Sequence, residues 1–115
     1  MLQALLVGLG GFLGTVLRYA VTRIPMGWSF PLSTLVVNVV GCLALGLLAG
    51  ARVPETARAF VFIGVLGGFT TFSAFGNETF QLLRDGRWPV AALSVGLQLV
   101  LGVGGVWAGH ALTSR

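Results

Sequence analysis

The strongest constraint on this chain is the spacing of its four long apolar runs. They occupy positions 2–22, 31–50, 58–83 and 88–112, with short polar connections between them. A helix needs roughly 20 apolar residues to span the hydrocarbon core of a bilayer, and 115 residues leave room for four such helices and little else. We therefore predict an all-α integral membrane protein in which residues 1–115 form a single transmembrane domain and the first run is retained as a helix.

The composition fits a chain that is surrounded by lipid. Apolar residues make up 56% of it and charged residues only 9%, whereas a soluble domain has about 25% charged residues. The net charge of +4 comes from seven basic residues, all of them arginine and most of them near the ends of the apolar runs. This distribution indicates interfacial anchors, so nucleic acid is not expected as a partner.

The arginines also bear on the orientation of the chain in the membrane. Connections that carry more Lys and Arg usually stay in the cytoplasm. With four spans, both termini and the middle connection share one side, which holds three arginines against four on the other. The first side has Arg52, Arg58 and Arg115, and the second has Arg18, Arg23, Arg84 and Arg87. A chain with no bias can insert both ways up, and we hypothesise an antiparallel, dual-topology homodimer.

Glycine is the most conspicuous residue inside the runs. Four pairs have small residues four positions apart: Gly10 and Gly14, Gly46 and Gly50, Gly64 and Gly68, and Gly105 and Gly109. Such pairs let helix backbones approach closely in lipid, where apolar side chains gain little by association. The four pairs together predict a tightly packed bundle.

A few polar residues lie within the second and fourth runs. Thr34, Asn38 and Cys42 fall on one helical stripe, and Ser94 and Gln98 share a face of the last run. Polar groups at this depth usually face the protein interior or a water-filled path. They are interpreted either as interhelical hydrogen-bonding residues or as part of a functional site, and the sequence leaves both open.

The third run has an unusual centre. Residues 64–75 are rich in Gly, Thr and Ser, which predicts a helix broken at mid-membrane. The alternative is a continuous helix whose hydroxyls bond back to carbonyls one turn earlier. A break would free backbone carbonyls, which serve as cation sites in transporters. Glu78 follows one turn after Phe75 and is interpreted as a vestibule residue, with Arg18 as a candidate partner.

Three motifs carry a family resemblance. They read Gly10-Gly11-x-x-Gly14-x-x-x-Arg18-Tyr19, Asn38-x-x-Gly41, and Gly64-x-x-Gly67-Gly68-x-Thr70-Thr71-Phe72-Ser73-x-Phe75. In this respect the chain resembles the Fluc (CrcB) family of small bacterial fluoride channels. The resemblance implies passive export of fluoride from the cytoplasm across the bacterial inner membrane, through two pores in an antiparallel homodimer within the lipid bilayer.

The resemblance also implies roles for particular residues. Arg18 and Glu78 match positions near the vestibules, and the backbone carbonyls of Gly67 and Thr70 match those that hold a structural sodium ion at the dimer centre. The residues expected along the fluoride pathway are Asn38, Phe72, Phe75, Thr34, Ser73, Ser94 and Gln98.

The chain departs from the family pattern at three positions. Ala74 stands where the family usually has Thr or Ser. Ser94 and Gln98 stand where the fourth helix often presents a Tyr and a Ser one turn apart. Both residues can still donate hydrogen bonds, so the departures bear on throughput and the route of the ion more than on selectivity.

Other functions fit the sequence less well. An enzyme is not expected, because the sequence has no Ser/His/Asp set, metal-ligand cluster or phosphate-binding loop, and its only histidine, His110, lies at the end of a run. A proton-coupled exporter like the small multidrug-resistance proteins needs a membrane-embedded carboxylate, for which Glu78 is the only candidate within a span. A membrane assembly subunit would explain the glycines but not Asn38 or the Thr-Thr-Phe-Ser segment.

Overall fold

The computed structural model describes residues 1–26 and 30–114. These residues form helices joined by short connections and contain no strand. Four segments are long and apolar enough to cross a membrane: Leu2–Thr22, Leu32–Gly50, Glu55–Arg84 and Trp88–Thr113. The prediction of an all-α chain with four spanning helices is confirmed at this level. Arg115, which entered the charge count, lies outside the described residues.

The first two spans and the last are single helices: α1 (Leu2–Thr22), α2 (Leu32–Gly50) and α6 (Trp88–Thr113). The third span is composite. It consists of α3 (Glu55–Arg58), a π-helix (Ala59–Leu66), α4 (Gly67–Phe69) and α5 (Phe72–Arg84). The π-helix was not predicted.

The interruption between α4 and α5 consists of two residues. Thr70 (φ −80°, ψ 155°) and Thr71 (φ −147°, ψ 116°) are both extended, so the helical hydrogen-bond ladder stops there. Thr71 starts the next helix as its N-cap, because its hydroxyl accepts the Ala74 N–H at 3.2 Å. A threonine oxygen at this position replaces a backbone acceptor that the first turn of any helix lacks.

Two glycine seams join the four spans in two pairs. In the first seam, α1 packs against the π-helix and α4; in the second, α2 packs along α6. A Cβ added at Gly14 would overlap the Val65 carbonyl oxygen, and one at Gly109 would lie 2.5 Å from the Leu43 carbonyl oxygen. One glycine of each pair meets a glycine of the facing helix, Gly10 with Gly64 and Gly46 with Gly109, and the other glycines of the pairs lie against neighbouring residues of that helix.

The interrupted segment lies against α2. A Cβ at Gly41 would overlap the Thr70 methyl group, so this glycine makes room for the first extended residue. The outer surface carries large exposed apolar side chains, as lipid-facing helices require. They include Leu5, Leu9, Phe12, Val100, Val103 and Trp107.

Candidate functional site

The candidate site is built around the backbone N–H and carbonyl groups of Thr71. The Thr71 N–H donates to Asn38 Oδ1 at 2.8 Å, and Asn38 Nδ2 donates to the Thr71 carbonyl oxygen at 3.0 Å. One side-chain amide thus satisfies both polar groups of an extended residue that has no helical partners. Thr71 is buried, with 8% of its surface exposed. Without Asn38, its N–H and carbonyl would therefore have neither a protein partner nor water to bond to.

A third hydrogen bond extends this cluster to α6. Asn38 Nδ2 also donates to Gln98 Oε1 at 3.1 Å. A side-chain amide has two N–H donors, and both donors of Asn38 are therefore engaged. Gln98 Nε2 is buried and has no hydrogen-bond partner within the described part of the chain.

These groups line a largely apolar cavity of about 430 Å³. Asn38 and Gln98 contribute its amide groups, and the interrupted segment contributes Thr70 and Thr71. Phe72, Phe75, Gly67 and Cys42 also lie on its wall, together with aliphatic residues from α2, α6 and the π-helix. Six of the residues expected from the sequence therefore meet at one cavity: Asn38, Gln98, Phe72, Phe75, Gly67 and Thr70.

Two phenyl rings flank the polar cluster. The ring centroids of Phe72 and Phe75 are 5.6 Å apart and the rings are tilted by 58°, an edge-to-face type of arrangement. Phe72 is 82% exposed and so projects from this chain. Ser73 lies between the two phenylalanines in sequence, and its hydroxyl is 3.3 Å from the Thr71 hydroxyl.

A second polar pair lies one helical turn before Asn38. The Thr34 hydroxyl donates to Glu78 Oε1 at 2.6 Å, while Glu78 Oε2 is buried without a partner among the described residues. Glu78 also lines a separate cavity of about 250 Å³, together with Gln81, Asp85 and Arg87. The candidate partner from the sequence, Arg18, does not pair with it.

Arg18 instead contacts the end of the first half of the third span. Its Nε donates to the Gly68 carbonyl oxygen at 3.2 Å. The Leu66 carbonyl nearby accepts both the N–H and the hydroxyl of Thr70, each at 3.0 Å. Carbonyl oxygens at a helix C-terminus carry partial negative charge, and Gly67 and Thr70 belong to this terminus.

The remaining expected residue, Ser94, lies on α6 one turn before Gln98 and is 1% exposed. It is not among the residues on the wall of the 430 Å³ cavity. Sequence reasoning missed Thr71, whose peptide unit organises the cluster. The sequence pointed to Thr71 only through its place between Thr70 and Phe72 in the motif. Backbone hydrogen bonds do not depend on the side chain, so the residue type alone could not reveal this role.

The family comparison covers almost the whole chain. The sequence model of the family described as CrcB-like protein, Camphor Resistance (CrcB), matches residues 5–110. These bounds include both glycine seams and every residue of the candidate site.

Individual relatives are similar over nearly their full length. A Methylobacillus flagellatus protein named fluoride-specific ion channel FluC is 43% identical, with 97% of this chain and 94% of the relative covered. An Opitutus terrae protein of the same name is 47% identical over 92% of this chain and 88% of the relative. Fluoride-specific ion channel FluC 2 of Symbiobacterium thermophilum is 41% identical over 95% of each.

Proposed function

This chain belongs to the CrcB family, and from that premise we propose that it is a fluoride channel in which the ion passes the cluster around Asn38. It is a multi-pass bacterial membrane protein and a channel rather than an enzyme. Flow is passive, so it exports fluoride whenever the cytoplasmic side has the higher electrochemical potential for the ion.

The observation that carries the proposed route is the buried amide cluster on the wall of an apolar cavity. Fluoride is small and strongly hydrated, and a pore must replace its water without holding the ion too tightly. Neutral N–H and O–H donors do this, whereas a buried fixed cation would trap the anion. Asn38 and Gln98 place such neutral amides beside the cavity. Because Thr71 and Gln98 engage both N–H donors of Asn38, Asn38 would donate to the ion by exchanging one of these bonds.

The phenyl rings of Phe72 and Phe75 complete this part of the route. The edge of a phenyl ring carries partial positive charge, so rings presented edge-on support an anion weakly. Because they lie next to Thr71 and line the same cavity as Asn38, they narrow the passage around the amide cluster. A narrow passage admits fluoride more readily than the larger chloride ion.

The approach to the cluster runs along α2 and α6. Thr34 lies one turn before Asn38 and binds Glu78, which borders the separate 250 Å³ cavity. We assign this cavity to a vestibule. Ser73 and Ser94 supply further hydroxyls near the route, and Arg18, on α1 and bonded to the Gly68 carbonyl of α4, attracts anions towards it.

The functional unit is proposed to be an antiparallel, dual-topology homodimer with two pores. Extended backbone at membrane depth is tolerated only where protein or water covers it. Thr70 and Thr71 are extended beside an open cavity, and Phe72 is exposed next to them. A second copy inserted the other way up covers this surface, which agrees with the balanced arginines.

A structural sodium ion at the dimer centre fits the residues that this chain offers. Sodium prefers hard oxygen ligands, and unwound backbone carbonyls coordinate it in transporters. Gly67 and Thr70 flank the helix end where the ladder stops, and they would hold the ion through their carbonyl oxygens. When bound, the ion supplies positive charge that offsets the facing carbonyl dipoles of two such helix ends.

Fluoride efflux from proteoliposomes tests the function. The purified chain is reconstituted in vesicles loaded with potassium fluoride, and efflux is started with a potassium ionophore and followed with a fluoride electrode. Rapid fluoride release is expected with no proton gradient, and no chloride release from matched chloride-loaded vesicles. Release that needs a proton gradient and is lost in Glu78→Gln would instead support the exporter.

The dimer and the sodium ion have separate tests. A C-terminal tag is expected on both sides of the membrane in cells, and finding it on one side only would contradict dual topology. Replacing sodium with N-methylglucamine during purification is expected to lower the thermal stability of the dimer. Unchanged stability would argue against a structural cation.

A further inference from the structure

We propose that Asn38 is a positioning residue for the cation site at the interruption, because its side-chain oxygen keeps the Gly67 carbonyl free for the ion. This inference rests on the structural sodium ion proposed above and links that site to the fluoride route. It follows from where the backbone N–H groups at the interruption donate, and from which carbonyls are left without a donor.

The Gly67 carbonyl is unpaired because its regular partner is diverted. In an α-helix each carbonyl accepts the N–H four residues later, so the donor for Gly67 would be the Thr71 N–H. That N–H donates instead to Asn38 Oδ1 at 2.8 Å. No hydrogen bond within the described residues ends on the Gly67 carbonyl. Asn38 therefore leaves this oxygen available.

The second expected ligand, the Thr70 carbonyl, is released in the same way. Its regular donor would be the N–H of Ala74, again four residues later, which donates to the Thr71 hydroxyl at 3.2 Å. The Thr70 carbonyl likewise accepts no hydrogen bond in the described part of the chain. Two side-chain oxygens, those of Asn38 and Thr71, thus take the two donors that a continuous helix would use here.

The carbonyls on either side of Gly67 are both engaged. The Leu66 carbonyl accepts the N–H and the hydroxyl of Thr70, and the Gly68 carbonyl accepts Arg18 Nε. Gly67 and Thr70 border the 430 Å³ cavity, and Gly67 is exposed on the surface of the single chain. Unpaired carbonyls at a helix C-terminus carry partial negative charge, which suits them to a cation.

One side-chain amide therefore serves both sites. Asn38 Nδ2 donates to the Thr71 carbonyl and to Gln98, on the side proposed for fluoride, whereas Oδ1 holds the Thr71 N–H away from Gly67. Without that acceptor the Thr71 N–H has the Gly67 carbonyl as its alternative partner, since a buried donor is costly to leave unpaired. The third span would then continue as a helix, and the cation would lose a ligand.

The sodium dependence of thermal stability tests this role. The purified full-length protein is unfolded at increasing sodium concentration, with N-methylglucamine keeping the ionic strength constant, and the sodium concentration that gives half of the stabilisation is measured. Asn38→Leu, which has a similar shape and no acceptor, is expected to raise this concentration about tenfold or more, because a hydrogen bond now competes for the carbonyl. Asn38→Asp, which keeps an oxygen in the place of Oδ1, should respond to sodium as the wild type does.

Gln98→Met is the matched control within the cluster. It removes the acceptor of one Asn38 N–H and leaves both bonds between Asn38 and Thr71 in place, so an unchanged sodium response is expected. A response weakened in Gln98→Met or in Asn38→Asp as much as in Asn38→Leu would overturn the inference, because the acceptor oxygen would not be the group that matters. Gln98→Met and Asn38→Asp remain informative even if Asn38→Leu does not fold.

Carbonyl NMR gives a readout at Gly67 itself. In protein labelled with ¹³C and ¹⁵N only in glycine, carbonyl–amide correlations come from Gly-Gly peptide bonds alone. The sequence has three such bonds: Gly10–Gly11, Gly67–Gly68 and Gly104–Gly105. Gly11→Ala and Gly104→Ala identify the other two signals by removing them, since a Cβ at either position meets nothing within 4 Å.

The Gly67 carbonyl signal is expected to shift when N-methylglucamine is replaced by sodium, while the Gly10 and Gly104 carbonyls stay unchanged. In Asn38→Leu the Gly67 signal should move in the direction of a hydrogen-bonded carbonyl and no longer respond to sodium. In Gln98→Met it should respond as in the wild type.

The outcomes separate the two proposals. Wild-type protein in which neither the stability nor the Gly67 carbonyl responds to sodium would refute the structural ion and the inference with it. A sodium response that the wild type shows and Asn38→Leu keeps would refute the inference alone. Neither measurement uses fluoride efflux, so a failure of the proposed channel function is detected separately.

Discussion

The glycine seams and the interrupted segment between them are stabilised by opposite means. In the seams, backbone lies against backbone and no side chain intervenes, as at Gly14 and Val65. In the interrupted segment, the two extended residues are held by individual hydrogen bonds: the Thr71 backbone exchanges two with the Asn38 amide, and the Thr70 hydroxyl donates to the Leu66 carbonyl oxygen. At Gly10, Gly14, Gly46 and Gly109 the facing backbone leaves no room for a Cβ, whereas the segment depends on particular donors and acceptors.

This difference follows from what each region has to do in lipid. Helices associate there chiefly through close packing, and many weak contacts share the energy. An extended peptide must instead have each of its polar groups satisfied within the protein. The packing of the helices thus depends on glycines, which have no side chain, whereas the candidate site depends on a few hydrogen-bonding side chains. Each prediction below tests one side of this contrast.

The largest effect is expected from a single methyl group in the first seam. In Gly14→Ala the new Cβ would overlap the Val65 backbone, which cannot move aside as a side chain can. Overpacking of this kind costs up to about 3 kcal/mol. Thermal unfolding of the purified protein, followed by size-exclusion chromatography, should show a large loss of stability.

Gly8→Ala is the matched control on the same helix. A Cβ there would meet nothing within 4 Å, and alanine is the better helix former. Stability equal to the wild type or slightly higher is expected. Similar losses in the two variants would mean that the seam is looser than described.

Removing the donor from the Thr34–Glu78 hydrogen bond should have the next largest effect. Thr34→Val keeps the shape of the side chain but leaves Glu78 Oε1 without the hydroxyl that it accepts from. The loss of such a bond costs about 2 kcal/mol. Fluoride efflux and thermal stability are both expected to fall.

The comparison for this variant is Thr79→Val on α5. The Thr79 hydroxyl donates only to the Phe75 carbonyl one turn earlier, which already takes part in a helix. A smaller change is therefore expected in both measurements. An effect as large as that of Thr34→Val would show that the two measurements respond to any lost hydroxyl on these helices.

Gly41 lies where the two regions meet and allows a rescue experiment. In Gly41→Ala the new Cβ would overlap the Thr70 methyl group, a side-chain atom, so a loss of about 1.5 kcal/mol is expected. Adding Thr70→Ser removes that methyl and keeps the hydroxyl bond to the Leu66 carbonyl. The double variant should recover most of the thermal stability, and failure to recover would place the clash elsewhere.

The smallest effect is expected from the helix cap. Thr71→Val removes the oxygen that accepts the Ala74 N–H but leaves the peptide bonded to Asn38. Losing an N-cap costs about 1 kcal/mol. Thermal stability should fall slightly while selectivity for fluoride over chloride is kept, and a loss of selectivity would mean that the hydroxyl itself belongs to the pathway.

The sequence predicted the scaffold well because its signals are local. Apolar runs indicated four helices, and glycines four apart indicated close contact, although not which pair meets which. The Gly-Thr-Ser composition of residues 64–75 indicated an interruption, which the structure has at Thr70 and Thr71.

The candidate site was predictable only in part, since its contacts join distant positions. Asn38 was singled out, but its partner is a peptide unit 33 residues away, and a backbone partner leaves no mark in the sequence. The same holds for Glu78, whose observed partner is Thr34 and not Arg18. The roles of these residues in conduction remain predictions to be measured.

The π-helix at Ala59–Leu66 has a consequence for how this chain can evolve. Bonding to the fifth residue instead of the fourth accommodates more residues in each turn, so each residue turns the helix through a smaller angle. The direction in which Thr71 faces, about the axis of the third span, therefore depends on the number of residues in this stretch and not only on their chemistry. That direction decides whether Thr71 can reach Asn38. Substitutions there are expected to be tolerated more readily than a one-residue deletion, which would rotate everything downstream. Among homologues, we expect the number of residues in this stretch to be conserved more strictly than their identities.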